Sequence, residues 1–81
     1  MRVDKYLKVS RIIKRRTVAK QAASKDKVEI NGKVAKPSSL VKVNDVLTLT
    51  FGQKIISLKV LSLEIKKDVL MYELLSEEKR P

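Results

Sequence analysis

The stretch from Met1 to Lys27 reads M-R-V-D-K-Y-L-K-V-S-R-I-I-K-R-R-T-V-A-K-Q-A-A-S-K-D-K and contains no glycine or proline. Its apolar residues as far as Ile13 are Val3, Tyr6, Leu7, Val9, Ile12 and Ile13. They follow one helical face only loosely, because Val9 strays from it. A short helix over about Val3 to Val9 with a turn near Ser10 accounts for this better than one long helix. Asp4 then falls in the first turn, where a carboxylate opposes the positive end of the dipole and can pair with Lys8 at i+4. Val18, Ala19, Ala22 and Ala23 repeat at i, i+1, i+4 and i+5, which predicts a second helix from about Arg16 to Lys25. Alanines on its inner face would let it pack closely against whatever lies beneath.

The bases avoid those apolar positions. Ten Lys and Arg face only Asp4 and Asp26 in this stretch, so it carries +8 of the chain's net +10. The remaining 54 residues hold nine bases against seven acids. Arg11 and Arg15 are four apart, as are Arg16 and Lys20, while Arg2, Lys5 and Lys8 step by three. Each spacing stacks side chains on one side of a helix, so two short helices packed together would present one basic face. A solvated surface is the ordinary reading of a Lys/Arg cluster. An excess this dense repels itself unless a polyanion uses it. Nucleic acid and an anionic membrane surface are the two candidates, and an alanine inner face is weakly apolar for membrane insertion.

Eighty-one residues make one small domain, expected over 1–76, with 77–81 a frayed C-terminal end. A chain of this size buries roughly 60% of its unfolded surface, enough for a modest core but no deep catalytic cleft. There is no cysteine and no histidine, which removes disulfides, thiolate nucleophiles, imidazole bases and the usual zinc sites. Charges at Arg2, Asp4, Lys5 and Lys8 leave no signal-peptide core, and no run approaches the ~20 apolar residues of a membrane span. The expected compartment is the cytoplasm.

After Lys27 the period changes from helical to alternating. Val28 to Ile30, Asn31-Gly32 and Lys33 to Lys36 form a hairpin signal, since Asn-Gly supplies the positive φ of a two-residue type I′ turn. Pro37-Ser38-Ser39 is a loop, and Val43-Asn44-Asp45 turns into a strand over Val46 to Phe51. Gly52-Gln53 is the next turn. Ile55 to Ile65 is the longest strand candidate, followed by a final strand near Leu70 to Leu75.

The aromatic residues are Tyr6, Phe51 and Tyr72, dispersed along the chain. Proteins that grip single strands stack bases on grouped aromatics, so recognition of a folded backbone through phosphates and shape fits better. Phe51 and Tyr72 read as core residues, and Tyr6 as a packing residue with a solvated hydroxyl. The acids are scattered or terminal and form no catalytic pair. Asp4 reads as a helix-end residue that positions arginines. The two glycines, Gly32 and Gly52, lie in turns and build no phosphate loop. An enzyme is not expected, and no cofactor is implied.

Three ordered blocks, R-V-D-K-Y-L at Arg2 to Leu7, R-R-T-V-A at Arg15 to Ala19 and V-E-I-N-G-K at Val28 to Lys33, resemble the S-four RNA-binding domain. The resemblance extends over about Arg2 to Leu49. It implies an α+β fold of the S-four αL type, two short N-terminal helices packed on a small mixed or antiparallel sheet, with the helical face toward structured RNA. It carries an RNA-binding role onto Arg2, Asp4, Lys5, Lys8, Arg11, Arg15, Arg16, Thr17 and Lys20, and Lys14 joins them in the same basic run. Two departures stand out. Arg15 replaces the serine that commonly caps the second helix, and Asp26 replaces a glycine before the first strand, in a position Asp tolerates better than most residues.

The longer block D-K-Y-L-K-V-S-R-I-I-K-R-R-T-V-A-K, with F-G-Q-K-I at Phe51 to Ile55 and M-Y at Met71-Tyr72, is similar to stand-alone members of ribosome-associated quality control. That likeness implies binding to large-subunit rRNA and an obstructed peptidyl-tRNA, cooperation with the alanine-tailing factor RqcH, and a monomer away from the ribosome. A heat-shock-type ribosome-rescue role is the alternative.

Overall fold

A computed structural model describes residues 1–79. Helix α1 covers Val3–Val9 and helix α2 covers Arg16–Ser24. The strands are β1 (Val28–Ile30), β2 (Lys33–Val34), β3 (Val46–Phe51), β4 (Lys54–Val60) and β5 (Tyr72–Lys79). Among the described residues they form one sheet in the order β2-β1-β3-β4-β5, with every neighbouring pair antiparallel.

Each helix ends as its sequence dictates. At the end of α1 the Arg11 N–H donates to the Lys8 carbonyl and Arg11 itself takes φ 64. This is the left-handed stop usually filled by glycine, and a side chain there costs about 1 kcal/mol. Ile13 then turns back into the core, its N–H donating to the Leu7 carbonyl. Helix α2 starts at Arg15 with no side-chain cap, as the missing serine implied. It ends before Asp26, whose φ of 59 is the left-handed conformation expected of it.

The core lies between the helices and the sheet. Val3, Tyr6 and Leu7 of α1 and Ala19 and Ala23 of α2 meet Val28, Leu47, Leu49, Leu58 and Val60 from the strands. The stripe on α2 is narrower than its periodicity suggested. Ala22 is half-buried and Val18 is 44% exposed, because two alanines suffice to fill the space above α1 and the sheet. The N-terminus is tied down by the Pro37–Val41 loop: the Val3 N–H donates to the Ser39 carbonyl and the Val41 N–H to the Met1 carbonyl.

The β1–β2 hairpin forms as read, with Asn31 at φ 52, Gly32 at φ 83 and Ile30 opposite Lys33. Asn31 also reaches across the sheet. Its Oδ1 accepts from the Val46 N–H at 2.9 Å and its Nδ2 donates to Asp45 Oδ1 at 3.0 Å. The turn before β3 is thereby pinned to the hairpin tip.

The C-terminal half departs from expectation in two places. The strand expected from Ile55 to Ile65 ends at Val60. Ser62 closes a local turn there: its Oγ accepts from the Glu64 N–H at 3.1 Å, an alternative to continuing the ladder. The final strand starts at Tyr72 and runs to Lys79 rather than ending at Leu75. Glu77, Glu78 and Lys79, read as frayed, pair with Ile56, Ile55 and Lys54, and the Lys54 ammonium contacts the Glu77 carboxylate. The remainder of the expected frayed end, 80–81, lies outside the described residues.

Candidate RNA-binding face

The N-terminal helices build a cationic surface around one buried acid. Asp4 is 1% exposed. Its Oδ1 accepts from the Lys5 N–H at 2.8 Å, and its Oδ2 accepts from Arg2 Nη2 at 3.1 Å. The Arg16 guanidinium of α2 lies 3.6 Å from Oδ1. A carboxylate taken from water needs such partners. Arg2 and Arg16 remain about half exposed, so each shares its charge between Asp4 and the solvent. The pairing expected between Asp4 and Lys8 is replaced by these two arginines. The reason is tertiary: α2 packs against α1 and brings Arg16 closer to the carboxylate than sequence spacing along α1 could indicate.

The ten predicted site residues fall into groups. Arg2, Asp4, Arg16, Thr17 and Lys20 line one shallow hollow of about 270 Å³. Lys8, Arg11 and Lys14 line a second, of about 420 Å³, together with Val9 and Ile65. Lys5 and Arg15 are exposed and line neither hollow. Asp4 is itself too buried to be a contact surface, and its role in this geometry is to hold Arg2 and Arg16. Sequence reasoning missed Ile65. Its residue type gave no sign that a distant loop would return to the end of α1.

Tyr6 lies beneath this surface. It is fully buried, and its hydroxyl donates to the Met71 carbonyl at 2.7 Å, so the solvated hydroxyl expected for it is not found. Burial, and secondarily the nearby Tyr72, push its pKa up to about 12. The bond ties α1 to the start of β5.

The exposed bases of the two hollows have the chemistry to neutralise phosphates at several points. Guanidinium forks on Arg2 and Arg16 suit bidentate contact, and Lys8, Lys14 and Lys20 supply point charges. No helix among the described residues is long and apolar enough to cross a membrane.

These features define an RNA-binding domain of the S4 class, and residues 1–47 match the S4 domain family. The chain is 53% identical over 81 residues to the RQC P-site tRNA stabilizing factor of Streptococcus pneumoniae, covering 95% of this chain and 92% of that one. It is 52% identical over 83 residues to the protein of the same name from Bacillus subtilis, covering 98% and 96%. The trimeric structure of Vibrio cholerae heat shock protein 15 superposes with a TM-score of 0.81 at 26% identity, over 94% of this chain and 82% of that one. The chain belongs to the S4 domain family and, within it, to the RQC P-site tRNA stabilizing factors.

Proposed function

We propose that this protein is a non-catalytic RNA-binding factor of ribosome-associated quality control. It binds large-subunit rRNA and the obstructed peptidyl-tRNA, and so supports alanine tailing of the stalled chain by RqcH. It acts as a single copy in the cytoplasm. The observation that carries this reading is the pair of half-exposed guanidiniums, Arg2 at the start of α1 and Arg16 on α2, held on buried Asp4. Full-length relatives named for stabilizing a P-site tRNA support the choice of RNA.

The mechanism is positional. Arg2, Lys5, Lys8, Arg11, Lys14, Arg15, Arg16 and Lys20 displace counterions from phosphates, and Thr17 adds a hydroxyl beside Arg16. The Asp4 clamp fixes the direction of Arg2 and Arg16 before RNA arrives, which reduces the ordering cost of binding.

Co-sedimentation with separated ribosomal subunits, with and without peptidyl-tRNA, tests the reading. Binding to the large subunit should strengthen when tRNA is present. About six phosphate contacts give a log–log salt slope of roughly −4 to −5. Binding to anionic vesicles but to neither subunit would transfer the basic face to a membrane role.

A further inference from the structure

Beside the C-terminal end of α1 lies a hollow of about 550 Å³ whose walls include Val9, Arg11, Ile65, Leu70, Met71 and Tyr72. It adjoins the hollow bounded by Lys8 and Lys14, with which it shares Val9, Arg11 and Ile65. Its volume lies within the ~300–1,000 Å³ usual for small-ligand pockets. Ile65 and Leu70 are 72% and 75% exposed, so two large aliphatic side chains flank it without burial. An apolar cluster this open on a small domain marks a contact surface.

We infer that this hollow receives an unstacked RNA base, with the adjoining phosphates on Arg11, Lys8 and Lys14. The inference rests on the RNA-binding reading above and adds a second, base-contacting site to it. Three observations converge. Among the described residues, those lining the two hollows include five bases, Lys8, Arg11, Lys14, Lys66 and Lys67, and no acid; of these, Lys66 is paired with Glu64 at 2.8 Å. The charge therefore suits a polyanion, and the hollow is continuous with the cationic side of α1. Second, the lining includes Tyr72 and Arg11, an aromatic ring and a planar cation of the kinds on which unpaired bases stack. Third, Arg11 occupies a left-handed position, φ 64, that favours glycine. Retaining a long planar cation where the backbone prefers no side chain is the kind of local strain found at binding sites.

The test uses the full chain and two RNA hairpins, one fully paired and one with a single-nucleotide bulge carrying 2-aminopurine. The bulged hairpin should bind about tenfold more tightly, as one stacked base warrants, with a change in 2-aminopurine emission. The double variant Ile65→Ser/Leu70→Ser should lose that preference while binding the paired hairpin as before. Arg11→Lys, which keeps the charge but not the planar cation, should reduce the preference by more than it weakens binding of the paired hairpin. Thermal melts identify any variant that fails to fold; the exposure of Ile65, Leu70 and Arg11 predicts that all of them fold. Equal binding of the two hairpins, or a preference that survives the double variant, overturns the base site and leaves the basic face standing. Binding to neither hairpin, joined to absence from both ribosomal subunits, removes the RNA reading as well. If the double variant leaves the large subunit although no base preference exists, the hollow belongs to a protein partner and the inference fails.

Discussion

The two ends of this molecule are held by different forces. At the helical end, Val3, Tyr6 and Leu7 are fully buried, and the buried acid Asp4 is paired with two arginines. At the far end, β4 and β5 form a ladder whose outer residues are largely exposed: Leu74 is 53% and Leu75 49% accessible, and Glu77 meets Lys54 at the surface. The first end is stabilised by packing and desolvated polar contacts; the ladder joins the core through Leu58 and Val60, and its outer half relies mainly on backbone pairing. The helical end holds the buried acid, and it is also the strongly cationic part. A surface carrying this much like charge needs a stiff support, because self-repulsion would otherwise spread its bases apart.

The contrast is sharpest in the core. Leu7→Ala should cost about 2–5 kcal/mol in urea unfolding, the usual range for a buried leucine. Leu74→Ala should stay within about 0.5 kcal/mol. Equal losses at the two positions would mean that the β4–β5 end is covered in solution.

A second break point is alkaline pH. Burial pushes the Tyr6 hydroxyl up to about 12 in the folded protein, from the ordinary tyrosine value of 10.0. The folded state therefore holds its proton more tightly than the unfolded chain. Stability from this group is complete below pH 10 and is lost as pH rises toward 12, by about 2–3 kcal/mol in all. Tyr6→Phe should remove that part of the pH dependence; an unchanged difference between pH 9 and pH 12 would mean the hydroxyl is not held in the folded state.

Asp4→Asn keeps the shape and discards the charge. It should cost about 1–2 kcal/mol, less than for an isolated buried ion pair, because the stranded Arg2 and Arg16 are half exposed and can turn to water. RNA affinity should fall as well, since the guanidiniums lose their fixed direction although net charge rises. A variant that bound more tightly would show that charge alone governs recognition.

The smallest effect on folding and the clearest on binding belongs to Arg16→Ala. Its unfolding midpoint should move little, because buried Asp4 keeps the shorter Arg2 contact and the Lys5 N–H as partners. Binding to the large subunit should weaken, with the salt slope reduced by about 1. Loss of the thermal transition would reassign Arg16 to the scaffold.

Local elements were legible because they depend on neighbours in sequence. The break after Val9, the alanine stripe and the Asn-Gly hairpin each follow from backbone sterics or short-range periodicity, and the left-handed Asp26 from the glycine that the family resemblance puts at its position. The eight bases among the ten site residues were legible as a charge excess and Asp4 as a residue that positions arginines, but which arginines it holds, and the gathering of Lys8, Arg11 and Lys14 at the end of α1, were not. Neither was the stop at Val60, where the apolar run Val60-Leu61 gives no warning and a serine turn ends the ladder. Glu77 to Lys79 read as a polar tail because their pairing partners lie some twenty residues earlier in the chain.

By itself the amino-acid sequence determined the helices, the hairpins, the strongly cationic first third and, through ordered blocks of residues, the family. The tertiary structure decided which charges are free and which are held. Coulomb interactions and desolvation depend on distance and burial, and those arise only when α2 packs against α1 and places Arg16 beside the buried carboxylate of Asp4. The position of Ile65 and Tyr72 beside Arg11 was decided in the same way, by a loop and a strand whose return to α1 no local rule encodes.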